Sequence, residues 1–269
     1  MAIITAAFLA FSSNAQSQKE AEPQGPETFY KLAKGFYSEK NYQDAIINFE
    51  KSLEYAEKTN DTTIADTSRI YLAGIYTILG NNDLKNDSLD QAIENYAKSL
   101  SYRPQFSKAY YGLGLVYKKQ DNLPKMKLAL DMAIRLAGKD TKTVFNAKDA
   151  AASAFQKAGA SALQAGDYNA AVENLTSSLE YINAEPRTYL YLAIAYNGLL
   201  KWDNAINEAN KALKLETGDK SDIYFELGKS YAGKGDLSKT CYFYSLVKTG
   251  ANAATAKYQF ESVLKCKPE

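Results

Sequence analysis

"NYQDAIINFEKSLEY", Asn41 to Tyr55, has a near-copy in "DYNAAVENLTSSLEY", Asp167 to Tyr181. In both, an Ala stands three residues after a Tyr, and a large apolar residue (Phe49 or Leu175) stands four further on. Both end in S-L-E-Y. Apolar residues recurring at intervals of three and four mark one face of a helix. A chain that writes one helix face twice, 126 residues apart, is assembled from repeated units.

The small residue of "DAI", Ala45, serves as a marker for the rest. Its equivalents are Ala92, Met126, Ala171, Ala205 and Thr240, at spacings of 47, 34, 45, 34 and 35 residues. The base period is therefore 34, and two intervals carry 13 and 11 extra residues. Upstream of each marker lies another helical pattern, with a large residue at place 4, Leu-Gly or Leu-Ala at places 7 and 8, and an aromatic at place 11. Phe29-Leu32-Ala33-Phe36, Tyr110-Leu113-Gly114-Tyr117, Tyr189-Leu192-Ala193-Tyr196 and Tyr224-Leu227-Gly228-Tyr231 follow it. Phe155-Ala158-Gly159-Ala162 follows it with small residues, and unit two offers Leu72-Ala73-Tyr76.

This pattern resembles the tetratricopeptide repeat over about Glu27 to Thr249. Pro104 matches the proline that closes such a unit, while Met126 and Thr240 depart from the preferred Ala. The resemblance implies an all-α, right-handed α-solenoid of about six helix hairpins. The units are read as 27–58, 66–105, 107–138, 150–184, 186–217 and 221–250, with a capping helix over 252–266. One hairpin cannot bury both of its apolar faces, so each unit needs a neighbour. Tyr42, Tyr76, Tyr96, Tyr110, Tyr117, Tyr168, Tyr189, Tyr196, Tyr231 and Tyr244 then fall at core places. "NNDLKNDS" (81–88) and "GKDTKTVFNAK" (138–148) read as loops that hold the extra residues, the second also as a hinge or a helical extension.

Composition narrows the function. Lys+Arg is 32 against 31 Asp+Glu, so the basic excess of a non-specific nucleic-acid binder is missing. There is no His, which removes the commonest general base and zinc ligand. No Gly-rich phosphate loop, metal-type Cys spacing or paired carboxylate can be singled out, so neither an enzyme nor a cofactor is expected. The two cysteines, Cys241 and Cys266, are either free thiols or a disulfide tying the capping helix to unit six.

The first fifteen residues differ from the rest. "AIITAAFLAF" (Ala2 to Phe11) has the length of a signal-peptide apolar core, too short for a membrane span. Ser13 and Ala15 are spaced for cleavage after Ala15, although no Lys or Arg precedes the run. Residues 1–15 are thus expected to be a signal peptide and 16–26 a disordered linker. No lipobox Cys follows, and the expected location is periplasmic or outer-membrane associated. The alternative is an apolar first helix of the fold.

Places 2, 5, 9 and 12 of each first helix lie opposite the hairpin core at 100° per residue. In tetratricopeptide arrays that side lines a concave groove for partners. Here it carries Tyr30, Lys34 and Tyr37 in unit one, Ile70 in unit two, and Lys108, Tyr111, Leu115 and Lys118 in unit three. Unit four gives Gln156 and Leu163; unit five gives Arg187, Leu190, Ile194 and Asn197; unit six gives Phe225 and Lys229. Apolar and aromatic residues where folding does not demand them point to a contact surface. The lysines beside them, with Lys119 adjacent, fit an apolar protein or peptide segment of some acidic character. The expected function is a binding scaffold serving an envelope or secretion-related complex. The other reading is a structural subunit that holds an assembly through its convex face or end helices.

Overall fold

The computed structural model describes residues 25–182 and 185–267. The signal peptide expected over 1–15 lies outside the described residues, as does the linker up to residue 24. All described regular structure is helical: thirteen α-helices and one π turn. The chain divides into two compact units between Leu72 and Ala73.

The first unit holds α1 (Pro26–Ser38), α2 (Tyr42–Lys58) and the first half of α3 (Thr62–Lys85). Its core is small and aromatic. Ala33 and Ala45 are fully buried, and the Phe49 ring stacks on Tyr71 with centroids 4.7 Å apart. Tyr30 and Tyr37 meet the same Tyr71 edge-on, at 6.0 and 5.3 Å. Burial raises the Tyr71 hydroxyl above the ordinary tyrosine range, with Tyr30 and Tyr37 adding to it. Buried hydroxyls complete the packing, since Ser52 Oγ donates to the Pro26 carbonyl at 2.8 Å and Ser68 Oγ donates to Ser52 Oγ at 3.2 Å.

The second unit stacks the remaining helices as hairpins. After the second half of α3 come α4 (Leu89–Tyr102), α5 (Ser107–Lys119), α6 (Leu123–Leu136), α7 (Thr141–Gln164) and α8 (Tyr168–Leu179). Then follow α9 (Pro186–Gly198), α10 (Trp202–Leu215), α11 (Ser221–Gly233) and α12 (Leu237–Ser245). The cap is α13 (Ala253–Tyr258), continued by a π turn, Gln259–Val263, rather than by the single helix expected over 252–266.

One turn recurs in every hairpin. The residue at place 15 is left-handed: Lys40, Asp87, Asp121, Gly166, Leu200 and Gly235 have φ between 50° and 75°. The next N–H then reaches back to place 11, as in Asn122 N to Tyr117 O at 2.9 Å and Asp167 N to Ala162 O at 2.9 Å. That bond is the six-to-one bond of a Schellman helix end. In four of the six hairpins the same next residue caps the following helix: Asn41, Asn122, Asp167 and Asp236 accept from the N–H three residues on. Helix end and helix start thus share a few residues, which forces the two helices antiparallel.

The two insertions are helix. Four first helices, α1, α5, α9 and α11, have 13 residues, while α3 and α7 each have 24. Each long helix starts about three turns before place 1, so the loops expected over 81–88 and 138–148 are mostly helical. The local reason is capping without a breaker. Asp61 Oδ1 accepts from Ile64 N at 3.0 Å, and Asp140 accepts both from Thr143 N at 3.1 Å and from its hydroxyl at 2.8 Å. Ala147, Ala150 and Ala151 of the α7 extension bury against Met126, Leu130 and Ala133 of α6.

This lengthening corrects the register of unit two. The small place-8 residue meets the side chain sixteen residues on, as in Gly114 with Leu130, Gly159 with Leu175 and Gly228 with Tyr244. Gly80 meets Tyr96 in the same way, so place 8 is Gly80 and not Ala73. The core tyrosines Tyr96 and Tyr244 are buried, and the other eight expected at core places are half-buried. Cys241 of α12 and Cys266 beyond the π turn form a disulfide with Cα atoms 5.7 Å apart.

Candidate functional site

A cleft of about 950 Å3 opens in the second unit among α3, α5 and α7. It exists because α7 presents short side chains there: Ser153, Ala154, Ala158 and Ser161 cannot reach Leu115 of α5 and Leu84 of α3. Leu123, at the start of α6, adds another apolar wall. Three cations border this apolar floor, namely Lys118, Lys119 and Lys157.

The three lysines are held differently. Lys119 pairs with Asp87 at 2.5 Å and Lys157 with Asp121 at 3.2 Å. Both aspartates are the left-handed turn residues of their hairpins. The Lys157–Asp121 pair is largely in water, and the Lys119–Asp87 pair is half in water, so each adds little to stability and separates at little cost. Lys118 is half-buried, and its Nζ donates to a neutral oxygen, Ser153 Oγ, at 2.7 Å. Burial pulls its pKa below the ordinary lysine range; Asp149 opposes that shift and Lys157 adds to it. A half-buried ammonium bonded to a neutral hydroxyl favours any carboxylate that can enter the cleft.

Of the residues expected to line a groove, Leu115 and Lys118 border this cleft. Tyr111, one turn earlier on α5, is half-buried against the core between α6 and α7, and burial raises its hydroxyl pKa with Asp149 contributing. Lys108 is exposed at the start of α5; the Asp140 carboxyl is held below its ordinary range chiefly by its bonds from Thr143, with Lys108 adding to them. Gln156 is tied to α9 through Thr188 Oγ1 at 2.9 Å. Leu163, Leu190 and Ile194 are half-buried, and Arg187 is exposed. In the first unit Tyr30 and Tyr37 belong to the Tyr71 cluster, and exposed Lys34 lies over the Tyr30 ring at 5.8 Å.

Three expectations need correction. Phe225 is 9 % exposed and packs on Tyr244, Val247 and Ala256, so it is core; the cap covers the face read as groove. Asn197 is 4 % exposed and bonded to Glu226 and Ser230 of α11, because α11 closes over it. Lys229 pairs with that same Glu226 at 3.0 Å. Ile70 is 46 % exposed but lies on the α3 extension, outside the repeat proper. With Gly80 at place 8, place 5 of unit two is Thr77, which is buried, and place 12 is Leu84, which lines the cleft. The interval that found it was available, since place 8 precedes the marker by twelve residues in every other unit and Gly80 precedes Ala92 by twelve.

Among the described residues no group of three or more His, Cys, Asp or Glu could hold a metal ion. No helix among them is long and apolar enough to cross a membrane.

A family model described as TPR repeat, the tetratricopeptide repeat, matches residues 80–121. An uncharacterized protein, ycf37 of Guillardia theta, is 32% identical over 99 residues, which are 37% of this chain and 51% of that protein. Heat shock protein STI1 of Saccharomyces cerevisiae is 32% identical over 87 residues, 32% of this chain and 14% of that protein. The chain thus spans about half the length of one curated relative and less of the other. Among solved structures, MamA 41-end from Desulfovibrio magneticus RS-1 is similar at 18% identity, with 65% of this chain and 92% of that chain covered and a TM-score of 0.40. YrrB, described as a TPR protein with an unusual peptide-binding site, is similar at 16% identity, covering 71% and 88%, with a TM-score of 0.39.

Proposed function

We propose that these tetratricopeptide hairpins form a protein-interaction scaffold, and that the cleft among α3, α5 and α7 takes an extended peptide segment. That segment carries an aliphatic side chain beside a carboxylate. The observation behind this reading is Lys118, an ammonium half-buried over an apolar floor with a neutral hydroxyl as its partner. Leu84, Leu115 and Leu123 supply the aliphatic contact, and Lys119 and Lys157 at the rim attract an acidic segment.

The test is calorimetric titration of the whole chain with a panel of short peptides. Each peptide pairs Leu or Ile with Glu, and each has a Gln twin. A charge-assisted bond contributes about 1.5–3 kcal/mol, so Lys118→Met should weaken the Glu peptides about 10- to 100-fold. The Gln twins should bind wild type and variant alike. Equal affinity of Lys118→Met for the Glu peptides would exclude the carboxylate subsite. Binding lost for both twins would make Lys118 a packing residue instead.

The proposed setting is outside the cytoplasm, in an envelope or secretion-related complex. Two observations support it: the apolar run Ala2 to Phe11 followed by cleavage spacing at Ser13 and Ala15, and the Cys241–Cys266 disulfide, since disulfides persist where the environment is oxidising. Mass spectrometry of the native protein should find an N-terminus near Gln16. An intact Met1 in the cytoplasmic fraction would overturn this setting and leave the cleft reading untouched. The second reading, a structural subunit, draws on the exposed Leu128 of α6 and Phe145 of α7, two large apolar side chains outside the cleft.

A further inference from the structure

We infer that the Cys241–Cys266 disulfide is a redox latch on the cap, and that a dithiol reductant frees the cap from the last hairpin without unfolding the hairpins. The cap is held unevenly. Its entry is pinned to the start of α11, where Ser221 Oγ lies 3.0 Å from Thr249 Oγ1 and Asn252 Nδ2 donates to Asp222 Oδ1 at 3.1 Å. The Thr249 hydroxyl also donates to Asp219. Beyond residue 252 the polar ties stop. Among the described residues, no hydrogen bond or salt bridge joins 253–267 to α11 or α12, and Lys257 pairs only within the cap, with Glu261.

What remains is apolar contact and one covalent bond. Ala256, Phe260 and Leu264 cover Phe225, Tyr244 and Val247. The covering segment is α13, six residues long, and a π turn of five. A helix that short does not stand alone in water. The disulfide at its far end keeps Phe260 and Leu264 seated by closing a loop of 25 residues.

The bond is reachable. Both cysteines are half-exposed, and Cys241 lines a cleft of about 1100 Å3 between α12 and the cap. A thiolate of the dithiol attacks one sulfur, forms a mixed disulfide and releases the other cysteine as a thiol. The second thiol of the reductant then displaces the first cysteine. Two electrons and two protons pass to the protein, and the reductant leaves as its own disulfide. The opened end presents Phe225, Tyr244 and Val247, an apolar surface available only in the reduced form.

The experiment is hydrogen–deuterium exchange on the whole chain, oxidised and after dithiothreitol, with thiol alkylation to count the reduced cysteines. On reduction, amides of 253–266 should exchange faster by about tenfold or more, with α5 and α7 unchanged. Reoxidation should restore protection, and the Cys241→Ser/Cys266→Ser double variant should match the reduced form without reductant. Unchanged protection of the cap in the reduced protein would make the bond a plain staple and overturn the latch. So would resistance of the native disulfide to excess dithiothreitol, or faster exchange spread over every helix.

Discussion

Tyr96→Ala is expected to destabilise the second unit by about 3–5 kcal/mol, as loss of a large buried aromatic does. Tyr96 lies on α4 with no exposed surface, and its ring fills a slot between two glycines. A Cβ added at Gly80 of α3 would come within 2.8 Å of the ring, and one added at Gly112 of α5 within 2.3 Å. The hydroxyl donates to Asn81 Oδ1 at 2.7 Å, so one side chain joins three helices. The walls of the slot are backbone, and backbone cannot collapse inward to fill the cavity. The partner glycine supplies a control. Gly112→Ala should cost about 1–3 kcal/mol in the wild type by overpacking. In the Tyr96→Ala background it should be neutral or stabilising, since Ala favours a helix by about 1 kcal/mol over Gly. Urea unfolding followed by fluorescence of Trp202, the single Trp and part of this unit, reads both effects. A Tyr96→Ala cost below about 1 kcal/mol would mean that the slot is not where the register of α3 puts it.

The hairpins were legible because their signal is a period. Six markers and five of the six first-helix patterns stand in register along the chain, and those first helices reach place 8 where the sequence reading put it. Unit two failed for a local reason. Its long helix carries small residues at two places seven apart, Ala73 and Gly80, and both satisfy the helical spacing. Helical periodicity cannot choose between positions seven apart, since both fall on one face. Only the distance to Ala92 chooses. The loops expected at 81–88 and 138–148 were read from Asn, Asp and Gly content. Capping at Asp61 and Asp140 outweighed that composition, leaving tight turns at Asp87 and Gly138.

The cleft was half legible. Helical geometry gives the face of each first helix, so Leu115 and Lys118 could be named. It does not give the gap to the next first helix, which depends on what that helix brings. Towards α5, α7 brings Ser153, Ala154 and Ala158, and the space stays open. Ala154 and Ala158 sit at places 3 and 7, off the list taken from one helix alone, and Ser153 holds place 2 without the apolar or charged character that drew the others onto it.

The opposite outcome at an equivalent place carries the last prediction. Asn197 holds place 12 on α9, as Lys118 does on α5, but α11 brings Glu226 and Ser230 towards it. Asn197 Nδ2 donates to Glu226 Oε2 at 2.7 Å and to the Glu226 carbonyl at 3.1 Å, and Ser230 Oγ donates to Asn197 Oδ1 at 2.7 Å. Glu226 is 5 % exposed, and its other partner is Lys229 at the edge. Asn197→Leu removes a donor from a buried carboxylate and leaves Ser230 Oγ with only the Glu226 carbonyl to donate to. The expected cost is about 1.5–3 kcal/mol, the contribution of a hydrogen bond to a charged group. Asn197→Leu with Glu226→Met should recover most of that loss, because replacing both polar partners by apolar ones of similar size is close to neutral. A groove residue would behave otherwise: its single replacement would change peptide binding and leave urea unfolding where it was. Unfolding midpoints of the single and double variants separate the two roles. A single variant as stable as wild type would return Asn197 to the ligand-facing surface.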